Sequence, residues 1–208
     1  MVLEKYEVRQ IRSAATYEWL IKVHYAKRIP NITDAFGLFC DRELVGVITY
    51  GKPASPFLCI GVCGREFADY VYELNRVCLL NNKKNEASFF VAKTLRLLSK
   101  PRIIVSYADT AMDHVGKIYQ ACNFIYTGAT KPRTDVDTGE KHSRHISGLD
   151  YSKRKNRSSK HRYVYFVGDK KQKKLFAQSL KYQKQPYPIG FSRNYETPTL
   201  PATQMELF

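Results

Sequence analysis

The chain has 208 residues and carries 34 Lys or Arg against 19 Asp or Glu, a formal net charge of +15 at pH 7. It contains no apolar run near the ~18 residues that span a bilayer, and its amino-terminal segment lacks the apolar core of a signal peptide. These features exclude an integral membrane protein and indicate a cytoplasmic one, in which the five cysteines stay reduced. The excess of positive charge predicts a polyanionic partner.

Apolar periodicity over the first 128 residues predicts a mixed sheet flanked by helices, which is an α/β fold. Cys40-Asp41-Arg42-Glu43 has the spacing of a hairpin turn, and residues 53–64, with irregular Pro and Gly, predict a loop. Asn123 closes a helix that Asp113 can cap, since Asn tolerates the left-handed conformation. Strands are predicted at 2–12, 35–39, 44–50, 70–80, 102–107 and 124–126, and helices at 13–27, 86–99 and 114–122.

The composition changes after residue 128. Residues 1–128 carry 17 Lys or Arg against 12 acidic residues, whereas residues 129–208 carry 17 against 7. We therefore predict an α/β core over 1–128 and a basic arm over 129–182, which includes a short strand at 163–167 and a helix at 170–182. The four prolines of residues 183–208 predict an extended carboxy-terminal tail.

The segment from Asp109 to Phe124 resembles the Mom family of phage DNA-modification proteins. Within it, Tyr119 followed by Asn123-Phe124 is similar to the Tyr–Gly–Phe signature of the GCN5-related acyltransferase (GNAT) superfamily, of which that family is a divergent branch; here Asn replaces the Gly. Other segments that resemble the family recur in one order at 24–28, 35–39, 45–55, 72–76, 160–166 and 186–188.

This resemblance implies a GNAT-like fold and an enzyme that adds a small carbamoyl-containing group to N6 of adenine in double-stranded DNA. The implied purpose is protection of phage DNA from restriction in the host bacterial cytoplasm. Two alternatives stay open. One is a conventional acyl-CoA-dependent N-acyltransferase that acts on a protein, and the other is a nucleic-acid-binding module without catalytic activity.

Adenine N6 is a poor nucleophile, so its transfer chemistry needs proton removal and a stabilised oxyanion. In the superfamily, the tyrosine at the position of Tyr119 often protonates the leaving thiolate, although a tyrosine packed on the sheet is the alternative. Glu73 and Arg76 lie three apart on a strand, so only one of them faces the cleft unless a bulge intervenes. The candidate catalytic residues are Tyr119, Asp109, His114, Ser106 and Glu73. Asp109 could instead cap the loop before the helix, and His114 could instead bond a backbone carbonyl.

Acyl-CoA is the cofactor that the resemblance implies. Its pyrophosphate would lie at the start of the helix predicted at 86–99, where backbone N–H groups favour anions. The loop over 81–85 has no glycine, unlike that of the superfamily, which leaves room for another donor. The candidate phosphate ligands are Lys84, Asn85, Glu86 and Ser88. No metal site is predicted, because Cys59 and Cys63 lack a second ligand pair at zinc spacing.

Duplex DNA is the expected partner. An enzyme that acts on N6 inside a duplex must extrude the base, and Tyr25 and Tyr50 are candidate stacking platforms, although core packing is the alternative for each. Residues 131–174 hold 14 Lys or Arg against 5 acidic residues, with aromatic residues between them, which favours phosphate contacts over a solvated loop. The other candidate DNA ligands are His24, Arg28, Lys52, Arg76, Lys153, Arg154, Lys155, Arg157, Lys160 and Arg162.

The last five residues, Gln204-Met205-Glu206-Leu207-Phe208, resemble the short peptide by which bacterial replication proteins bind the sliding clamp. Gln204, Leu207 and Phe208 would be the anchors in a shallow apolar pocket. A terminus that docks on its own domain is the alternative, because matches to a five-residue motif are weak signals.

Overall fold

The computed structural model of the protein describes residues 5–136 and 152–190. Nine strands and four α-helices form this part of the chain. The strands are β1 (Tyr6–Gln10), β2 (Asp34–Cys40), β3 (Glu43–Gly51), β4 (Val71–Leu79), β5 (Arg102–Asp109), β6 (Ile125–Ala129), β7 (Arg133–Val136), β8 (Arg154–Arg157) and β9 (Lys160–Val167). The helices are α1 (Pro56–Cys63), α2 (Glu86–Leu97), α3 (Lys117–Ala121) and α4 (Lys170–Ser179).

Seven of the strands form one mixed sheet in the order β1-β2-β3-β4-β5-β9-β6, and β7 pairs with β8 in a separate hairpin. The two central strands β4 and β5 are parallel, whereas their neighbours pair antiparallel. Helix α2 covers one face of this sheet through Phe90 and Val91, and α1 and α4 cover the other through Val62 and Phe176. The predicted GNAT-like α/β fold is confirmed.

The central strands separate part of the way along their length. Pairing between β4 and β5 runs from Val71 opposite Ile103 to Glu73 opposite Val105, although both strands continue beyond these residues. Carboxy-terminal to this point, each strand has a free edge that faces the other. The sheet therefore opens into a cleft, whose floor includes Glu73 to Leu79 of β4 with Tyr107 and Ala108 of β5.

Several local predictions are confirmed. Asp41 and Arg42 both have positive φ (50° and 75°), as the tight turn between β2 and β3 requires. Asn123 has a φ of 60° and ends the turn after α3 in the left-handed conformation. The helix itself begins later than predicted, because Gly116 rather than Asp113 is its N-cap residue.

Two predictions over the amino-terminal half need correction. Residues 13–27 are helical only as far as Val23, where a 3₁₀ turn (Ser13–Thr16) leads through Tyr17 and Glu18 into a π turn (Trp19–Val23) rather than forming a regular α-helix. Residues 53–64 are not a loop, because α1 begins at Pro56. Proline at the first helical position fits the start of a helix, and the apolar residues that follow it supply a buried face.

The strand after the basic segment lies inside the sheet. All eight residues of β9 pair with β5, from Arg102 opposite Val167 to Asp109 opposite Lys160, and its other edge pairs with β6. Tyr163 and Val164 of this strand are fully buried. Residues 160–167 therefore belong to the core sheet rather than to an arm appended after residue 128. Among the described helices, none is long and apolar enough to cross a membrane.

Candidate active site

The opening between β4 and β5 is a large cleft of about 2280 Å³. Its walls come from residues 23–31, the start of α1, residues 112–119 and the β7–β8 hairpin. Nine Lys or Arg side chains and three acidic ones line it. This excess of positive charge suits a polyanion. The base of the cleft holds Glu73 and Arg76, whose pKa values are shifted by burial.

A β-bulge brings Glu73 and Arg76 to the same side of β4. In the pairing with β3, Thr49 lies opposite Arg76 but Tyr50 lies opposite Leu74, so Asn75 is an extra residue in the strand. The bulge reverses the alternation, and both charged side chains line the cleft. The Asn75 amide holds this geometry, since it donates to the Asn31 carbonyl at 2.9 Å.

Burial perturbs both groups. Burial raises the pKa of the Glu73 carboxyl, although the nearby Arg76 charge opposes the shift. Burial likewise lowers the pKa of Arg76. The Arg76 Nη1 donates to the Asn75 carbonyl at 2.6 Å, while its Nε–H has no partner among the described residues. The guanidinium thus keeps a donor for a ligand that carries an oxygen.

Tyr25 presents an aromatic surface at the mouth of the cleft. Its side chain is 49% exposed, and its ring stacks on the His24 ring with 4.4 Å between centroids. The His114 ring meets it edge-on at 6.2 Å. One face of Tyr25 is therefore supported by protein, so the predicted stacking role for a flipped base is sterically open.

Two of the three histidines that line the cleft, His24 and His114, are held neutral. Burial and the nearby Arg76 charge lower the pKa of His24 to about 3, and its Nδ1 accepts a hydrogen bond from the Ala26 N–H at 3.0 Å. Burial also lowers the pKa of His114, although Asp109 and Asp113 oppose the shift. Neither ring is a protonated imidazolium at neutral pH, so neither can act as a general acid. Each can still donate one hydrogen bond and accept another.

Tyr119 lines the cleft from α3, and its ring packs on Phe124 and Tyr163. Burial raises the pKa of Tyr119 to about 12, against a hydrogen bond with Ser106 that lowers it. Ser106 is fully buried and donates its own proton to the Leu74 carbonyl at 2.9 Å, so towards Tyr119 it acts as the acceptor. Ser106 therefore positions Tyr119 and does not reach the cleft, contrary to the prediction that it is catalytic.

Asp109 does not line the cleft either. Its carboxylate accepts from the Lys160 ammonium at 2.6 Å, from the Ala111 N–H at 3.1 Å and from the Ser158 hydroxyl. Burial would raise its pKa, but these hydrogen bonds outweigh burial and hold it below the ordinary value. A carboxylate with three donors is a poor base. Asp109 instead joins the end of β5 to the strand β9 and caps the turn that follows β5, which supports its predicted capping role over its predicted role as a base.

The basic residues divide into two groups. Arg154 and Arg157 of β8 line the cleft together with Arg133 of β7, and Arg157 pairs with Asp135 at 2.7 Å. Arg162, in contrast, donates to the Thr127 hydroxyl and carbonyl, and its guanidinium lies 3.3 Å from the Tyr182 ring centroid. Arg162 is thus a structural residue rather than a DNA ligand. Lys160 lines the cleft, although its ammonium is paired with Asp109.

The other predicted DNA ligands also separate. Arg28 lines the cleft, and so does Lys52, whose ammonium donates to the Asp69 carbonyl. Lys153 and Lys155 are exposed beside Arg154. Tyr50 is the exception, because it is fully buried and its hydroxyl lies 2.6 Å from that of Thr94. A base cannot reach the Tyr50 ring, so this residue belongs to the core.

The start of α2 does not fit a pyrophosphate. Glu86 is 1% exposed, and its carboxylate accepts the Lys83 N–H at 2.8 Å. The Ser88 hydroxyl donates to the Asn85 carbonyl, which leaves the exposed Lys84 and the Asn85 amide of the predicted ligands suited to an anion. The Glu86 carboxylate in the first turn of α2 would repel a phosphate there. None of these four residues lines the cleft.

Sequence reasoning missed several cleft residues. Asn75 was the detectable one, because Asn is depleted in strands and its position inside β4 signals an irregularity. Arg133 and Tyr107 also line the cleft, and neither stood out from its neighbours in the sequence. In the described ranges, no group of three or more His, Cys, Asp or Glu side chains could hold a metal ion. The predicted clamp-binding residues Gln204–Phe208 lie outside the described residues.

The sheet, its central opening and the flanking helices define a GNAT-like α/β protein. Solved structures similar to it include a GNAT-family acetyltransferase from Bacillus cereus, at 13% identity with a TM-score of 0.44, covering 79% of this chain and 99% of that one. An N-acetyltransferase from Staphylococcus aureus has 13% identity and a TM-score of 0.47, covering 78% and 98%. The polyamine N-acetyltransferase of Drosophila melanogaster has 11% identity and a TM-score of 0.46, covering 78% and 100%.

The chain belongs to the Mom protein family, whose model matches residues 5–189. This range includes both central strands, the cleft and the β7–β8 hairpin. Among curated proteins, the chain is similar to the methylcarbamoylase Mom of Escherichia phage Mu. The two are 28% identical over 211 aligned residues, which cover 88% of this chain and 86% of that protein.

Proposed function

We propose that this protein is a phage DNA-modification transferase that adds a small carbamoyl-containing group to N6 of adenine in double-stranded DNA. The phage Mu relative is named a methylcarbamoylase, and membership of its family supports the same chemistry here. One observation carries the assignment to this cleft: the bulge at Asn75 places Glu73 beside Arg76, below an exposed aromatic ring. The modified DNA would resist restriction in the host cytoplasm.

Glu73 is the proposed general base. The exocyclic amine of adenine shares its lone pair with the ring, so it attacks an acyl carbon only as its proton leaves. A base works best when its pKa lies near the operating pH, and burial moves the pKa of Glu73 from its ordinary value in that direction. The N6–H proton passes to this carboxylate as the N–C bond forms.

Arg76 is the proposed electrophilic group. Attack on a carbonyl carbon places negative charge on its oxygen, and a fixed donor in a buried site stabilises that charge. The Nε–H of Arg76 has no other partner in the described part of the chain, so it is available at the moment of attack. Tyr119 stays protonated near neutral pH and is the proposed proton donor to the leaving group.

Tyr25 is the proposed platform for the extruded adenine. Its ring is backed by His24 and open on the other side, as base stacking requires. The arginines of β7 and β8 would hold the flanking phosphates, since they line the opposite wall of the cleft. Binding should therefore weaken steeply as the salt concentration rises.

The start of α2 bears on the identity of the group donor. Acyl-CoA was the predicted cofactor, but the Glu86 carboxylate lies where a pyrophosphate would bind, so no step is assigned to coenzyme A. The same carboxylate argues against a conventional acyl-CoA-dependent protein acyltransferase. A binding module without catalytic activity would not need Glu73 and Arg76 near each other at the base of the cleft, because the desolvation of each charge costs free energy.

The test is mass spectrometry of nucleosides from the DNA of cells that express the chain. We expect a deoxyadenosine that is heavier by the transferred group. Tyr25→Ala should lower its amount by about 5- to 100-fold, because stacking contributes roughly 1–3 kcal/mol per base. The matched control is Tyr17→Ala, an equally exposed tyrosine of the same segment that does not line the cleft. Unmodified deoxyadenosine with soluble wild-type protein would refute the proposal.

A further inference from the structure

Phe57 is the most exposed aromatic side chain among the described residues. Its side chain is 86% exposed, although apolar burial would favour covering it. It lies in the first turn of α1, after Pro56, and both Ser55 and Leu58 on either side of it line the cleft. A large apolar ring thus projects from the rim of a strongly basic cleft.

The helix that carries Phe57 is fixed at its other end. Val62 and Cys63 are buried, and the Cys63 thiol lies 3.6 Å from the Phe176 carbonyl of α4. The Val62 carbonyl accepts the Lys181 N–H at 2.9 Å. Gly61 allows close packing, because a Cβ there would lie 2.8 Å from the Tyr182 hydroxyl. The exposed ring is therefore presented by a rigid element rather than by a loose loop.

We infer that Phe57 is a wedge that inserts between base pairs of duplex DNA and fills the space left by an extruded base. This inference rests on the proposed function, because the occupant is the DNA of that reaction. Proteins that kink DNA insert apolar side chains of this kind into the base stack. The nine cations of the cleft against three acids favour a polyanion over an apolar protein partner at this rim.

The geometry gives the two aromatic residues separate tasks. Tyr25 is backed by His24 inside the cleft, where it can stack on the extruded base. Phe57 stands at the rim, and most of its ring is open to solvent. Extrusion leaves a gap in the duplex, and an apolar group in that gap prevents the base from returning. The wedge thus keeps the target adenine in the cleft.

Plasmid unwinding tests the wedge without a donor or a known target sequence. Closed circular plasmid is relaxed with a topoisomerase in the presence of the protein, and the linking number is read after the protein is removed. Insertion into the base stack unwinds the duplex, so wild-type protein should leave negative supercoils. Phe57→Ala should lose this change at equal DNA occupancy, measured by gel shift. Leu97→Ala, which removes an exposed apolar side chain elsewhere, should retain it.

A second variant supports the interpretation. Phe57→Trp should still unwind DNA, and stacking should quench its fluorescence when duplex is added, over the constant background of the buried Trp19. Equal unwinding by Phe57→Ala and wild type, or no unwinding by DNA-bound wild type, would overturn the wedge. The wedge would also be overturned if Phe57→Ala without DNA sedimented more slowly than wild type, because the rim would then be an interface between copies of the chain.

Nucleoside mass spectrometry of the same cells separates this inference from the proposed function. Modified deoxyadenosine without unwinding refutes the wedge and leaves the transferase standing. Unwinding that depends on Phe57 without any modified deoxyadenosine supports the wedge and refutes the transferase.

Discussion

Replacement of Glu73 by Gln should remove activity and at the same time stabilise the fold at neutral pH. Gln keeps the shape of the side chain and one carbonyl oxygen, but it cannot take the N6 proton. A general base contributes about 10²- to 10⁴-fold, which corresponds to about 3–5 kcal/mol of transition-state stabilisation. We expect modified deoxyadenosine to fall by that factor.

The effect on stability follows from the raised pKa of Glu73. The folded protein holds this proton more tightly than the unfolded chain does, so the group favours folding below its ordinary pKa. That contribution is lost as the pH rises through the raised pKa of the folded state. Gln does not titrate. The variant should therefore gain stability relative to wild type as the pH increases, and the two should converge at acid pH.

Thermal unfolding of the purified proteins at several pH values, beside nucleoside analysis of DNA, measures both effects. Glu66→Gln is the matched control, because Glu66 is exposed and lies away from the cleft. Full activity in Glu73→Gln would refute the role as base. Lower stability of the variant at neutral pH would show instead that Glu73 is a structural partner of Arg76.

Four further predictions test the rest of the site. Tyr119→Phe should lower modification by about 10²- to 10⁴-fold if its hydroxyl is the acid. The control Tyr50→Phe, which loses a buried hydrogen bond to Thr94 away from the cleft, should affect stability alone, and unchanged activity in Tyr119→Phe would leave only packing. Gln at Lys153, Arg154, Lys155 and Arg157 should reduce the slope of log binding constant against log salt concentration by about 0.9 for each phosphate contact removed. The control places Gln at four lysines of α4 and should leave that slope unchanged: Lys170, Lys171, Lys173 and Lys174. Calorimetry should give coenzyme A an affinity no more than a few-fold above that of pantetheine, because the Glu86 carboxylate at the start of α2 would repel a pyrophosphate. Competition by inorganic pyrophosphate would contradict this. Deletion of residues 204–208 should reduce modification in cells but not in a purified reaction on short DNA, if the tail recruits the sliding clamp; failure of purified clamp to bind the tail peptide would end that idea.

Local chemistry accounts for what could be predicted. The Asp41-Arg42 turn, the left-handed Asn123 and the buried face of α2 each depend on a few neighbouring residues. The mixed sheet follows from the order of such elements, and the family resemblance supplied the topology. Predictions of this kind need no knowledge of what lies across the sheet.

Non-local pairing accounts for what could not be predicted. The bulge at Asn75 is a mismatch of register between β3 and β4, and it decides that Glu73 and Arg76 share the cleft. Asp109 loses its expected role because Lys160, 51 residues later, reaches it. Tyr50 follows the alternation of its strand into the core. In each case the competing partner is distant in sequence, and only the folded sheet identifies it.

The segment between β6 and β9 leaves and re-enters the sheet at a single point. The Thr130 N–H donates to the Lys160 carbonyl at 2.9 Å, and the Lys160 N–H donates to the Thr130 hydroxyl at 3.0 Å. Residues 131–157 are thus inserted close to this point, because Ser158 and Ser159 already bond to Asp109 and Thr110 at the end of β5. Doubling the length of such an insertion costs only about 0.6 kcal/mol of closure entropy. The sequence and length of this wall of the cleft can therefore change without disturbing the pairing of β5, β9 and β6. Relatives could diversify the DNA sequences they select while the bulge, the buried Glu–Arg pair and the sheet stay unchanged.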